Sequence, residues 1–107
     1  MAKGRAKASP KPAKEFWHLR LYVAGQSPKS LRALANLKTL CEEHLTGRHE
    51  IEVIDLVEQP ALARIDDIIA IPTVVRQIPR PPCMLIGDLS NTTRVLAGLE
   101  IDSAAFG

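Results

Sequence analysis

Ala70-Ile71-Pro72-Thr73-Val74-Val75 sets a proline between a β-branched isoleucine and a run of strong strand formers. Proline has no N–H and biases the residue before it away from the α region. Pro72 therefore closes any helix that precedes it and stands at the start of an extended segment, where its missing donor does least harm. Local sequence alone favours a trans Ile71–Pro72 bond at a loop-to-strand boundary, because cis is the minority isomer even before proline.

Upstream of this step the pattern is clear. From Trp17 to Gly25, the residues Trp17, Leu19, Leu21 and Val23 alternate with His18, Arg20, Tyr22 and Ala24, which predicts a strand with one buried face. Gly25-Gln26 turns the chain, Ser27 can cap a helix, and Pro28 suits its first position. The helix is predicted to run to about Leu45, with Leu31, Leu34, Leu37, Cys41 and Leu45 inward and Lys29, Arg32, Asn36, Thr39 and Glu43 outward. Gly47 ends it, with His44 and Arg48 near the negative end of its dipole. Ile51 to Val57 is nearly continuously apolar and reads as a second strand, central in its sheet. Strand, helix and strand at this spacing make a right-handed βαβ unit.

Downstream signals are weaker. Pro60 to Ile69 is compatible with a short helix through Leu62, Ile65 and Ile69, while Ile68-Ile69-Ala70-Ile71 also suits the end of a strand. Thr73 to Ile78 is extended, and Pro79-Arg80-Pro81-Pro82 is a stiff, polyproline-like connector. Cys83 to Gly87 is a short apolar strand. Ser90 can cap a last helix through Val95, Leu96 and Leu99, although Asn91, Thr92, Thr93 and Gly98 are poor helix formers. Periodicity does not assign apolar runs this short. No internal repeat is visible.

A chain of 107 residues makes one domain. Residues 1–14 carry Lys3, Arg5, Lys7, Lys11 and Lys14, two prolines and almost nothing to bury, and read as a disordered basic arm. Residues 15–107 hold all 12 carboxylates and form the folded domain, close to neutral or slightly acidic. The net charge of +2 does not argue for a specific nucleic-acid partner. No apolar run approaches the roughly 20 residues that cross a bilayer, and no apolar segment follows the basic N-terminus as a signal peptide requires. Cys41 and Cys83 make no C-x-x-C pair. A reduced, cytoplasmic setting is the default expectation.

The residues show no catalytic constellation. No phosphate-binding G-x-x-x-x-G-K-[ST], nucleophile elbow or H-E-x-x-H is present. His18, His44, His49 and Cys41 lack metal-ligand spacing, and no cofactor motif is found. Asp66-Asp67 and Glu42-Glu43 are adjacent carboxylates that point apart and read as solvated faces. Composition and motifs point to a binding module.

An Ile-Pro-Thr step that enters a strand downstream of strand–helix–strand resembles the cis-proline loop of thioredoxin-like folds, which implies a cis bond at Pro72. In that frame the redox pair would lie at the N-terminus of the first helix, where the dipole lowers a thiol pKa. This chain has Gly25-Gln26-Ser27-Pro28 there. Cys41 lies on the apolar stripe as a structural thiol. A thioredoxin-like redox or chaperone protein acting through Cys83 alone is the alternative to a binding module.

Leu21-Tyr22-Val23-Ala24-Gly25 and Ser27-Pro28-x-Ser30-x-Arg32-Ala33-Leu34 are similar to the opening of the circadian-clock KaiB family. Val53-Ile54-Asp55, Gln59-Pro60, Pro72-Thr73, Ile86-Gly87-Asp88-Leu89-Ser90 and Val95-Leu96-x-Gly98-Leu99 continue the resemblance from Trp17 to about Ile101. It implies an α/β, thioredoxin-like regulator without enzymatic activity that binds a KaiC-like hexameric ATPase and, in cyanobacteria, helps sequester KaiA. The sensor domain of the kinase SasA is a relative. The resemblance further implies two packings of one sequence: a resting dimer or tetramer that is thioredoxin-like only in its first half, and a fully thioredoxin-like monomer that binds KaiC. Such switching needs packings only a few kcal/mol apart. It places partner binding around Leu56, Asp66 and Asp67, and the switch at Gly98 and Glu100. Cys83-Met84 stand where cyanobacterial relatives carry two arginines, and Glu52 and Asp67 where they carry lysines. The family's acidic tail is missing. These differences touch partner surfaces and suit a divergent paralogue in timing or stress signalling.

Overall fold

The computed structural model describes residues 15–101. The basic arm expected over residues 1–14 lies outside the described residues, as do residues 102–107. The elements run β1 (Trp17–Val23), α1 (Pro28–His44), β2 (His49–Asp55), α2 (Ala61–Ile65), β3 (Thr73–Ile78), β4 (Cys83–Ile86) and α3 (Thr92–Leu99). They build one sheet in the order β2-β1-β3-β4, with β2 parallel to β1 and both β1–β3 and β3–β4 antiparallel. This is a thioredoxin-like α/β arrangement.

The alternation read along β1 decides the layering. Trp17, Leu19, Leu21 and Val23 enter the main core with Ala33, Leu37, Leu40 and Cys41 of α1, Val74 of β3 and Val95 and Leu99 of α3. The opposite face carries a smaller cluster of Tyr22, Ile54, Leu56 and Ile68, with Leu62 and Ala63 of α2 against it. Helices α1 and α3 therefore share one face, and α2 covers part of the other.

Thr73–Ile78 forms the strand expected after Pro72, and the Ile71–Pro72 bond is cis. Several expectations are corrected. The second strand starts earlier, at His49, and is an edge strand, because the antiparallel β3 takes the other side of β1. Only Ile54 of its residues is buried. The buried face of α1 is turned from the predicted stripe: Ser30, Ala33, Leu37, Leu40 and Cys41 point inward, while Leu31 is exposed. A five-residue α2 replaces the longer helix or the strand, and Ile68–Ile71 joins no ladder. Asn91, not Ser90, caps α3, its side chain accepting from the Arg94 N–H at 3.0 Å. Ser90 instead donates its N–H to Asp88 Oδ1. In the proline connector, Ile78–Pro79 and Arg80–Pro81 are both cis. No helix among the described residues is long and apolar enough to cross a membrane.

Candidate partner-binding surface

The end of β2 and the short α2 form a surface built on a polar relay. Glu52 on β2 accepts from Arg20 Nε at 3.0 Å, with His18 Nε2 3.3 Å away. Arg20 donates to the Tyr22 hydroxyl at 3.3 Å, and Tyr22 donates to Asp66 Oδ2 at 2.7 Å. The relay ties the edge strand, the central strand and the end of α2. The bond to Tyr22 is the largest influence raising the Arg20 pKa, and burial is the largest raising that of Tyr22. Asp55 adds a second tie, since its Oδ1 accepts the N–H groups of both Gly25 and Val57 at 2.9 Å.

Asp67 has a backbone role of its own. Its φ is 58°, its N–H donates to the Arg64 carbonyl at 3.3 Å, and the Ile68 N–H reaches the Ala63 carbonyl at 2.7 Å. That bonding pattern around a left-handed residue is the helix-ending Schellman motif, normally built on glycine. Aspartate tolerates the left-handed region better than most residues do. The Asp67 side chain is exposed, whereas Asp66 turns inward to Tyr22.

Leu56 is buried beneath α2 and supports the surface from below. The exposed apolar side chains are others, and two of them correct the sequence reading, which set Ile65 and Ile69 with Leu62 on one apolar side of a short helix. Val57 is 68% exposed, Ile65 69% and Ile69 87%. The available signal was arithmetic: Ala61 to Ile71 holds more large apolar residues than a single helical turn can bury. The relay left no such trace, because His18, Arg20, Glu52 and Asp66 read one by one as solvated charges.

At the N-terminus of α1, where a redox pair would sit, Ser27 Oγ accepts from the Ser30 N–H and donates to Ser30 Oγ at 2.9 Å. Cys41 is fully buried and its pKa is raised to about 12 by burial. Cys83 is half-buried, donates to the Gly98 carbonyl at 3.5 Å, and is raised mainly by burial, with Arg76 opposing. Among the described residues no three His, Cys, Asp or Glu side chains come together as a metal site.

The proposed switch residues lie at the end of α3. Gly98 is helical, and a Cβ there would stand 3.1 Å from Leu85 Cδ1. Glu100 caps the helix at φ 62°, with its carboxylate 3.6 Å from Arg76. Arg76 also donates to the Leu99 and Pro81 carbonyls, at 2.9 and 2.6 Å, and its guanidinium lies 5.5 Å from the centre of the Trp17 ring. Sequence reading missed Arg76, although it shares strand parity with buried Val74.

Residues 20–101 match the family profile of the KaiB domain. The chain is 45% identical over 83 residues to the circadian clock protein KaiB3 of a Synechocystis species, covering 78% of this chain and 81% of that one. It is 45% identical over 89 residues to the circadian clock oscillator protein KaiB of Nostoc punctiforme, covering 83% and 86%. Among solved structures it is similar to the N-terminal domain of Synechococcus elongatus SasA, with a TM-score of 0.66 at 22% identity, covering 88% of this chain and 92% of that one. It is also similar to a chloroplastic thioredoxin z, with a TM-score of 0.67 at 20% identity, covering 91% and 85%. Both structural likenesses concern the fold.

Proposed function

This chain belongs to the KaiB family, and from that premise we propose that it is a non-enzymatic regulator, in circadian or related timing or stress signalling, that binds a KaiC-type hexameric ATPase. The observation that carries the proposal is that Val57, Ile65 and Ile69, which lie within or around α2 and the Asp67 turn in sequence, are all exposed large apolar side chains. Exposed large apolar side chains of this kind supply the core of a protein interface. The relay beneath holds α2 and that turn in place. The arrangement described here is the binding-competent packing, and a resting oligomer with a different second half is its reservoir. KaiA-type partners are less well served, since Glu52 is engaged by Arg20 and His18 rather than offering the lysine of cyanobacterial relatives.

Co-elution with a purified KaiC-type hexamer in ATP tests this directly. The native chain should co-elute, and Ile65→Asp should weaken binding at least tenfold, about 1.4 kcal/mol. Insulin reduction by the same preparation should be absent, because the α1 terminus offers Ser27 where a thiolate is required. Failure to bind several KaiC homologues, or reduction of insulin lost in Cys83→Ser, would replace the regulator with the redox reading.

A further inference from the structure

We propose that Glu52, on the outer strand β2, is a positioning residue for α2: it acts through Arg20 and Tyr22 on Asp66, and so couples the open edge of the sheet to the α2 surface. The chain of bonds can run only one way. A guanidinium donates and never accepts, and an ionised carboxylate only accepts. Arg20 gives its Nε to Glu52 Oε1 at 3.0 Å and a terminal nitrogen to the Tyr22 oxygen at 3.3 Å. The single Tyr22 hydroxyl proton then goes to Asp66 Oδ2, at 2.7 Å. Burial raises the Tyr22 pKa, so that proton stays on its oxygen. His18 Nε2, 3.3 Å from the same Glu52 oxygen, makes a second contact to the carboxylate.

Arg20 stands between two carboxylates but hydrogen-bonds only one of them. Its terminal nitrogen is 3.7 Å from Asp66 Oδ2, beyond hydrogen-bond distance, so Tyr22 carries that contact. Bonds from two different nitrogens fix the plane of the guanidinium, and Glu52 receives one of them. Without that anchor the plane turns, and the bond to Tyr22, already long, weakens. A Tyr22 oxygen no longer polarised by the cation is a poorer donor to Asp66. Asp66 in turn closes α2, whose five residues have no side-chain cap and none of which is buried. The Asp66 N–H donates to the Leu62 carbonyl at 2.9 Å and the Ile68 N–H to the Ala63 carbonyl at 2.7 Å, so these two amides report on the helix end. The Glu52 side chain is 42% exposed, against 23% for Arg20 and 25% for Asp66. The relay therefore starts at the solvent-facing edge, crosses β1 and ends at α2. That α2 meets a partner rests on the function proposed above; the coupling is a property of the chain alone.

Amide exchange followed by NMR on the full chain tests the coupling. Glu52→Gln keeps the size of the side chain and an acceptor oxygen but removes the charge. It should speed exchange of the Asp66 and Ile68 amides about threefold and leave the amides of α1 unchanged. Glu52→Lys, which sets a second cation beside Arg20, should speed the same amides further. In a Tyr22→Phe background, where the relay is already cut, Glu52→Gln should add nothing at those amides. A Glu52 that only braced β2 against β1 would act equally in both backgrounds. Binding of the native chain to a KaiC-type hexamer, measured alongside, tests the partner separately: its absence beside the expected exchange pattern removes the partner and leaves the coupling standing. Asp66 and Ile68 amides that exchange no faster in Glu52→Gln overturn the coupling. So does an equal effect of Glu52→Gln with and without the Tyr22 hydroxyl.

Discussion

Inside the main core lies a guanidinium: Arg76 is 3% exposed, bonded to the carbonyls of Leu99 and Pro81, beside Glu100, and 5.5 Å from the Trp17 ring centre. Its Nε finds no hydrogen-bond partner among the described residues. One side chain thus holds the end of α3, the proline connector and β3 together. Arg76→Ala should cost about 3 kcal/mol, from two charge-assisted bonds and two orphaned carbonyls. Denaturant unfolding would measure the loss, and hydrogen exchange should show α3 losing more protection than α1. At Gly98 two effects compete. Alanine gains about 1 kcal/mol of helix propensity, while its Cβ would sit 3.1 Å from the Leu85 side chain. Leu85 is only partly buried, at the edge strand, and can yield by a few tenths of an ångström. Gly98→Ala should therefore raise protection in α3. Reduced protection there would show that the Leu85 contact dominates. Cys41 makes a pH prediction. Its thiol keeps its proton in the folded chain until about pH 12, whereas an unfolded thiol loses it near 8.5. Above that value the unfolded state sheds a proton the native state retains. Stability is thus complete below about pH 8.5 and declines as pH rises toward 12, by at most about 1.4 kcal/mol per unit for this group. In Cys41→Ala the decline should flatten.

At the scale of elements, α2 is the least self-sufficient piece. It has five residues, no side-chain cap and none buried. Its order rests on Tyr22 holding Asp66 and on the left-handed turn at Asp67. Tyr22→Phe should cost about 1–2 kcal/mol and loosen α2 first, as exchange of the Asp66 and Ile68 amides would show. Asp67→Asn removes charge while keeping a residue that tolerates positive φ. It should leave the thermal midpoint unchanged and alter preference among KaiC homologues; an unchanged preference would mean that the carboxylate is not read by the partner. The first half was legible because β1 alternates strictly and Ser27-Pro28 marks a helix start by local bonding. Leu31 misled because it lies near the proper α1 stripe but faces the β2 edge. The second half was obscure for a physical reason: the ends of α2 and α3 are set by left-handed residues that are not glycine, and β4 is too short to show a period. Capping at Asn91 rather than Ser90 follows from Asp88 already holding the Ser90 N–H, a tertiary preference with no local mark.

At the scale of the molecule, the sheet order sets β2, beside the candidate partner surface, and β4 at opposite edges. Antiparallel β3 displaced β2 to one edge, and β4 closed the other. The continuous apolar run of Ile51 to Val57 suggested a central strand because both of its faces meet apolar neighbours even at the edge. Ile51 packs on the main core and Ile54 under α2. Of the residues the sequence offered for a partner surface, Asp67 lies on an exposed turn and Leu56 is buried under α2, while the exposure of Val57, Ile65 and Ile69 was not legible. Native mass spectrometry of the full chain with a KaiC-type hexamer in ATP tests that surface most directly. The native chain should load the hexamer, a double variant of Ile65→Asp with Ile69→Asp should not, and Leu31→Asp, exposed on α1, should load normally. Loading by the α2 variant equal to that of the native chain would contradict the account.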